Sequence, residues 1–211
     1  MDNEAGLHLF TSNRLETLAA KLSERLRRPL PSPLQPEIIV VRNQGMERWL
    51  KLELARHHGI CANTRFRFPE AFAYEMFRTV LPAMADDPPF EREVMLWKIM
   101  KTLPGLLSRR EFGSLEQYLS RRADPRKLVQ LASRIAHLFD QYLIFRPEMV
   151  LAWEEGRDEH WQAILWRSLA RETNGRHPAA LRRDFAAALA QPNVERSGLP
   201  ERVSIFGLSA L

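Results

Sequence analysis

The sequence predicts an α/β fold in which a parallel sheet is interrupted by a large all-helical insertion. Three short apolar segments, at 7–10, 37–41 and 202–207, have the composition of β-strands, and the first two are each followed by a turn and a helical pattern. Two successive strand–turn–helix units favour a parallel, doubly wound sheet. We therefore expect a first α/β part at 1–85, a helical insertion at 86–195 and a returning strand at 196–211.

The first unit begins with a predicted strand, Leu7–Phe10. Thr11–Asn13 then supply residues that cap helices. The helix predicted after them has a leucine about once per turn, from Leu15 to Leu26. A proline-rich stretch at 29–36 has the composition of a loop.

The second unit is the clearer of the two. Glu37–Val41 is apolar on both faces, as a buried parallel strand should be. Arg42–Gly45 predicts a sharp turn, and 46–57 predicts a helix whose apolar residues face inward.

Helical periodicity dominates the middle of the chain. A helix at 69–80 is followed by a break at Asp86–Pro89. Further helices are predicted at 91–102, 114–121, 125–145, 147–155, 158–172 and 178–190. The sequence stops at Leu211 with the connection after its last strand unfinished, so we expect it to be part of a longer protein.

Composition excludes several classes of protein. The 211 residues include a single cysteine, Cys61, which excludes a disulfide framework and a multi-cysteine metal site. The longest aliphatic run, Ile38–Val41, is far too short to cross a bilayer. Met1–Glu4 is acidic and lacks the basic start of a secretory signal. We expect a cytoplasmic protein without a membrane partner.

The basic residues point to nucleic acid as the leading class of partner. Lysine and arginine number 31 against 26 acidic residues, for a net charge of +5, and 26 of the 31 are arginine. The planar guanidinium binds phosphates and base edges through two hydrogen bonds at once. The alternative is that a GC-rich genome favours arginine codons and that most of these side chains are simply solvated.

The order of segments is that of the start of a P-loop helicase, but the residues of a nucleotide site are missing. Such a site needs a glycine-rich first loop with lysine and serine or threonine. The corresponding loop, Thr11–Leu15, has no glycine, and no Gly-Lys-Ser/Thr string occurs in the chain. The last strand ends in Gly207-Leu208-Ser209 rather than in acidic metal ligands. The sequence therefore predicts a degenerate helicase-like sheet with no ATP site and no cofactor.

Polar residues in the turn after the second strand are the first candidates for contacts with DNA. Arg42, Gln44 and Arg48 lie at a predicted helix N-terminus, where backbone amides favour anions. The alternative is an ordinary turn with solvated arginines.

Basic and aromatic residues interleave in the next segment, Thr64–Pro69. Such patterns occur where bases stack and phosphates are neutralised, which makes Phe68 and the nearby Tyr74 candidates for base stacking. The alternative is a short strand with Phe66 and Phe68 facing inward.

The third set of candidates lies on the predicted helix 125–145. His137 and Gln141 share a face with Arg134, and glutamine pairs well with adenine. Asp140 could accept from cytosine. The alternatives are that Asp140 binds a local arginine, that Arg146 caps the helix C-terminus and that Leu138 belongs to the core.

Several strings, in order along the chain, resemble the RecC family, the gamma chain of the exodeoxyribonuclease V (RecBCD) helicase–nuclease. The strings are Ser12-Asn13-Arg14-Leu15, Gln44-Gly45-Met46 with Trp49-Leu50, Gly59-Ile60 with Ala62-Asn63, Phe68-Pro69 with Phe72, Leu138–Leu143 with Arg146-Pro147, and Phe206–Leu211.

The resemblance implies a helicase fold that has lost its motor, and a heterotrimer with RecB-like and RecD-like subunits that supply the enzyme activities. It implies that this region lines a tunnel for the 3′-ended single strand and reads the Chi sequence there. No catalytic site and no small-molecule substrate are implied for this chain. The family's reading positions fall on Arg42, Gln44, Arg48, Phe68, Tyr74, His137, Leu138, Asp140, Gln141 and Arg146.

This chain departs from the family pattern in charge. Arg42 and Arg48 stand where the family uses uncharged polar residues, and His137 stands where it uses aspartate. Added positive charge should strengthen phosphate binding. Three other functions remain open: an AddB-like helicase–nuclease subunit, a helical protein–protein adaptor without DNA contact, and an active ATPase.

Overall fold

A computed structural model describes residues 6–81, 90–120, 124–172, 175–192 and 198–208. The chain forms two compact units, Met1–Thr79 with Glu195–Leu211, and Val80–Val194. The predicted boundaries at 85/86 and 195/196, the Asp86–Pro89 break, Met1–Glu4 and Ser209–Leu211 lie outside the described residues. The three-part division of the sequence stays a prediction.

The first unit contains a small parallel sheet, which confirms the α/β class. Its strands are β1 (Glu37–Val41), β2 (Thr64–Arg67) and β3 (Val203–Phe206), in the order β2-β1-β3. In the register of the sheet, Val40 of β1 lies beside Arg67 of β2 and beside Ile205 of β3. The central strand is buried along its apolar residues because it has a neighbour on each side and apolar side chains on both faces.

The prediction of a first strand at Leu7–Phe10 is wrong. This segment has no strand partner among the described residues, and Leu7 is 91% exposed. Thr64–Arg67, for which a short strand was the alternative to DNA contacts, forms a strand of the sheet. Asn63 prepares this pairing: its left-handed backbone and its side-chain hydrogen bonds to the carbonyls of Pro33 (2.9 Å) and Gln35 (3.0 Å) anchor the start of β2.

The described part of the first unit contains three helices, and all three were predicted. They are α1 (Leu15–Leu26), α2 (Gln44–His58) and α3 (Pro69–Val80). Residues of α1, α2 and the sheet share one core, which comprises Ala19, Ile39, Val41, Leu50, Leu54 and Phe206.

The second unit is helical throughout its described residues. Its helices are α4 (Arg92–Thr102), α5 (Gly113–Ser120), α6 (Pro125–Phe145), α7 (Pro147–Glu154), α8 (Trp161–Arg171) and α9 (Pro178–Leu189), with 3₁₀ turns at Leu103–Leu106 and Arg110–Phe112. The predicted helices are confirmed, with ends moved by up to three residues. None of the helices described is both long enough and apolar enough to span a bilayer.

A buried histidine links three helices of the second unit. The Nε2 atom of His177, which is fully buried, lies 2.5 Å from Oε1 of Glu154, and the indole of Trp166 donates to the same oxygen at 2.8 Å. The Nδ1 atom of His177 accepts from the amide of Ala180 and so caps α9. Burial alone would raise the pKa of Glu154, but the hydrogen bonds and charge of its partners, His177 first, hold it below its usual value.

This pair predicts an acid-dependent loss of stability. Because the pKa of Glu154 is lowered by folding from an ordinary value of 4.5, its contribution is present above that pH and is lost as the pH falls through the lowered value. We expect Glu154→Gln to reduce the free energy of unfolding by about 1 kcal/mol near neutral pH. Urea unfolding at several pH values should show this difference shrinking below pH 4.5. Glu148→Gln, an exposed position on the same helix, is the matched control. A difference that is constant with pH would contradict the assignment.

Gly207 lets the end of β3 approach the first turn of α2. Its φ is +69°, and a Cβ atom built there would lie 3.2 Å from Cε of Met46. The methionine can move aside, so the backbone conformation accounts for most of the requirement for glycine.

Gly207→Ala should therefore destabilise the first unit by about 1–2 kcal/mol, because alanine must adopt a left-handed conformation. Thermal unfolding followed by circular dichroism measures the change. Gly6→Ala is the control, since nothing lies within 4 Å of a Cβ atom at that position. Equal melting temperatures for the two variants would show that the left-handed conformation of Gly207 does not require glycine.

Candidate nucleic-acid interface

The junction between β1 and α2 places polar groups at the carboxyl edge of the sheet. The strand ends at Val41, and Asn43 then begins α2 by accepting the amide of Met46 at 2.9 Å with its side-chain oxygen. Gly45 leaves room for this cap, because a Cβ atom there would lie 3.3 Å from that oxygen. The first turn of α2 is thereby fixed with its amide groups directed outward.

An open cleft of about 450 Å³ lies at this edge. It is lined by Arg42, Asn43, Gln44, Gly45 and Phe68. Arg42 follows β1 and Phe68 follows β2, and parallel strands end at the same edge of a sheet. The structure therefore brings together three predicted site residues, Arg42, Gln44 and Phe68.

The cleft has a positive electrostatic character. Arg42 is exposed and forms no ion pair with any residue the structure describes. The N-terminus of α2 adds the positive end of the helix dipole and amides without intrahelical acceptors. Glu47, the acidic residue of this first turn, lies 2.6 Å from Lys51 and is neutralised by it. The cleft thus suits a phosphate group.

Phe68 supplies an apolar wall to the same cleft. Its side chain is 37% exposed at the end of β2, while its carbonyl accepts the amide of Phe72 and starts α3. Proteins that bind single-stranded nucleic acids combine positively charged groups with exposed aromatic rings, because every base has a face that can stack on a ring.

The other basic and aromatic residues of β2 have structural roles. Arg65 and Arg67 both pair with Glu75, at 3.7 and 2.8 Å. Phe66 packs against the core, with Nζ of Lys51 5.0 Å from its ring centre. The alternating pattern at 64–69 is therefore mainly that of a paired strand, and Phe68 alone of its members lines the cleft.

Two further candidates lie outside the cleft lining. Arg48 is exposed one turn into α2, and it is without an ion-pair partner in the described part of the chain. Tyr74 is half-buried on α3, where it meets Phe77 edge-on at 5.9 Å between ring centres.

In the second unit, the remaining candidates lie along the outward side of α6. His137 is exposed, and Leu138, Asp140 and Gln141 are half-buried. Leu138 is not among the residues that form or pack against the core cluster, whereas Leu128 and Leu131 of the same helix pack against it. We call the surface formed by Arg134, His137, Leu138, Gln141, Phe145 and Arg146 the α6 face.

The structural alternatives for this helix have different outcomes: Arg146 does cap α6, but through its backbone amide, which donates to the carbonyl of Tyr142 at 2.9 Å. The carbonyl of Leu143 near the end of α6 is bound by Arg182 at 3.1 Å, not by Arg146. Arg146 is exposed, and neither it nor Asp140 forms an ion pair within the described ranges. Both side chains are therefore available for other contacts.

Sequence reasoning missed the most exposed aromatic residue of this helix. Phe145 is 69% exposed and its neighbour Ile144 is 49% exposed. Burying a phenylalanine contributes about 1.5–3 kcal/mol, most of which is lost in this position. The available signal was spacing, because Phe145 follows Gln141 by four residues and so shares its side of the helix.

The described residues offer no cluster of metal-binding side chains. No group of three or more histidine, cysteine or acidic side chains there could hold a metal ion. Cys61 is half-buried, with its sulfur 3.5 Å from the hydroxyl of Thr64. In the loop before α1, the hydroxyl of Ser12 accepts the amide of Arg14 at 3.1 Å.

Comparison with known proteins identifies a family for this chain. The model of the RecC N-terminal domain matches residues 7–211. The RecBCD enzyme subunit RecC of Escherichia coli is 40% identical over 97% of this chain, and those of Haemophilus influenzae and Mycolicibacterium smegmatis are 36% and 32% identical over 96% and 97%. These alignments cover 19%, 21% and 19% of the relatives, so the chain spans about a fifth of their length. The chain belongs to the RecC family, in the region of its N-terminal domain.

Proposed function

We propose that this chain is a non-catalytic, DNA-binding part of a cytoplasmic RecBCD-type helicase–nuclease that acts in double-strand break repair. It guides the 3′-ended single strand, and RecB-like and RecD-like subunits supply the motor and nuclease activities. Its sheet is a helicase-like one without an ATP site. Reading of a Chi sequence by the same surfaces is the finer part of the proposal.

The cleft at the carboxyl edge of the sheet is the observation on which the proposal depends. Arg42 and the N-terminus of α2 offer two sources of positive potential for one phosphate. Phe68 offers a ring within the same cleft on which the attached base can stack. Together, the phosphate contact and the stacking contact hold one nucleotide, and neither contact requires a particular base.

The α6 face supports the same function from the second unit. It combines an imidazole and an amide with two exposed arginines that form no ion pair in the described residues. Gln141 and His137 can hydrogen-bond base edges, and the arginines can neutralise phosphates. The relatives are named as subunits of the RecBCD enzyme, which agrees with a surface that handles DNA within a complex.

A protein–protein adaptor is the second candidate, and one exposed residue favours it. Trp97 on α4 is 68% exposed, whereas Trp153 and Trp166 are fully buried. Exposed tryptophans are common anchors of protein interfaces. An adaptor would bind partner subunits without any affinity for DNA.

Binding of a fluorescein-labelled oligothymidylate to the purified chain, followed by anisotropy, separates the two functions. We expect Arg42→Ala to weaken binding about fivefold, or about 1 kcal/mol, and to reduce the salt slope by about 0.7 through the loss of one phosphate contact. Phe68→Ala should weaken binding by about 1–3 kcal/mol through loss of stacking.

Arg56→Ala is the matched control, because Arg56 is an exposed arginine at the other end of α2 and pairs with Glu53. It removes the same charge without touching the cleft. Equal effects of Arg42→Ala and Arg56→Ala would contradict a phosphate site in the cleft. Absence of binding by the unsubstituted chain would favour the adaptor.

A further inference from the structure

We infer that Phe145 is a base-stacking platform at the end of the α6 face and that it holds one base of a single-stranded nucleic acid while Arg146 contacts an adjacent phosphate. The inference rests on the proposed function and extends it to a residue outside the cleft. Its first support is exposure, since 69% of Phe145 is accessible at the last turn of α6.

The way α6 ends explains why Phe145 remains exposed. Arg146 leaves the helical conformation at φ −139° and ψ 47°, and Pro147 then begins α7. Phe139 and Leu143 point into the core from the opposite side of α6. Phe145 lies about 120° around the helix from Phe139, outside the buried stripe.

The chemistry along this side of α6 favours nucleic acid over an apolar partner. Of the six residues of the α6 face, Arg134, His137, Gln141 and Arg146 are cationic or hydrogen-bonding, and only Leu138 and Phe145 are apolar. The two arginines and the histidine form no ion pair with a described residue. An apolar protein surface would leave the two arginines desolvated and unpaired, whereas a phosphate backbone complements them.

The dimensions also fit a short stretch of single strand. Twelve helical residues from Arg134 to Phe145 extend about 16 Å at 1.5 Å per residue. Stacked nucleotides repeat about every 3.4 Å along a strand, so the α6 face has the length of about five of them. A ring at one end of the α6 face fixes the position of one base, and the hydrogen-bonding side chains then face the neighbouring bases.

The test compares three substitutions of Phe145 in the purified chain. Phe145→Ala and Phe145→Leu should each weaken binding of a labelled oligothymidylate, by about fivefold or more, because both remove the ring. Phe145→Tyr keeps the ring and should bind as the unsubstituted chain does. Val129→Ala is the control, since Val129 is also exposed on α6 but lies outside the α6 face.

A direct readout comes from an oligonucleotide containing 5-iodouracil, which crosslinks on irradiation to aromatic side chains stacked against it. We expect a crosslinked peptide that contains Phe145 and that disappears in Phe145→Ala. Because Phe145 is largely exposed, circular dichroism should show that all three variants fold.

The outcomes separate this inference from the proposed function. If Arg42→Ala weakens binding but every Phe145 variant binds normally and no crosslink forms, the platform is disproved and the cleft stands. If Phe145→Leu binds as the unsubstituted chain does, the contact is merely apolar and stacking is disproved. If the unsubstituted chain binds no single strand at all, the platform and the proposed function both fail.

Discussion

The parallel pairing of β1 with a strand on each side is the constraint on which the candidate site depends. Because β1 is flanked and apolar on both faces, its position in the sheet is fixed by hydrogen bonds and by burial together. Its carboxyl end therefore delivers Arg42 to the same edge at which β2 delivers Phe68 and β3 delivers Gly207. A one-residue shift of β2 against β1 would move Phe68 away from this edge.

Secondary-structure elements with a clear local pattern could be predicted from the sequence. Strands that are defined by pairing with another strand could not. The strand Glu37–Val41 and the helix α6 could be predicted from the sequence alone, because the first is a continuous apolar run and the second has a long apolar stripe. Leu7–Phe10 has three apolar residues and Thr64–Arg67 has only Phe66, so composition alone favours the wrong segment as the strand. Only the second pairs with β1 among the described residues, and pairing is a tertiary property.

The site was predictable where a residue type and a secondary-structure boundary coincide. Arg42 and Gln44 follow a recognisable strand and start a recognisable helix, so their meeting at a helix N-terminus could be inferred. The pairing of Arg65 and Arg67 with Glu75 could not, because it depends on how α3 packs beside β2. Phe145 was missed for the opposite reason: an aromatic residue at the end of an apolar helix is ordinarily taken as core, and its exposure follows from the turn at Arg146.

Hydrogen exchange at the first turn of α2 tests the central claim, that the carboxyl edge of the sheet holds a phosphate of single-stranded DNA. The amide of Met46 already donates to the side chain of Asn43, but the amides of Gln44 and Gly45 begin the helix, where intrahelical acceptors are lacking. The account predicts that a bound oligothymidylate slows their exchange while the amides of Glu37–Val41, already in the sheet, exchange as before. An oligonucleotide that binds the chain and leaves the amides of Gln44 and Gly45 unprotected would contradict it.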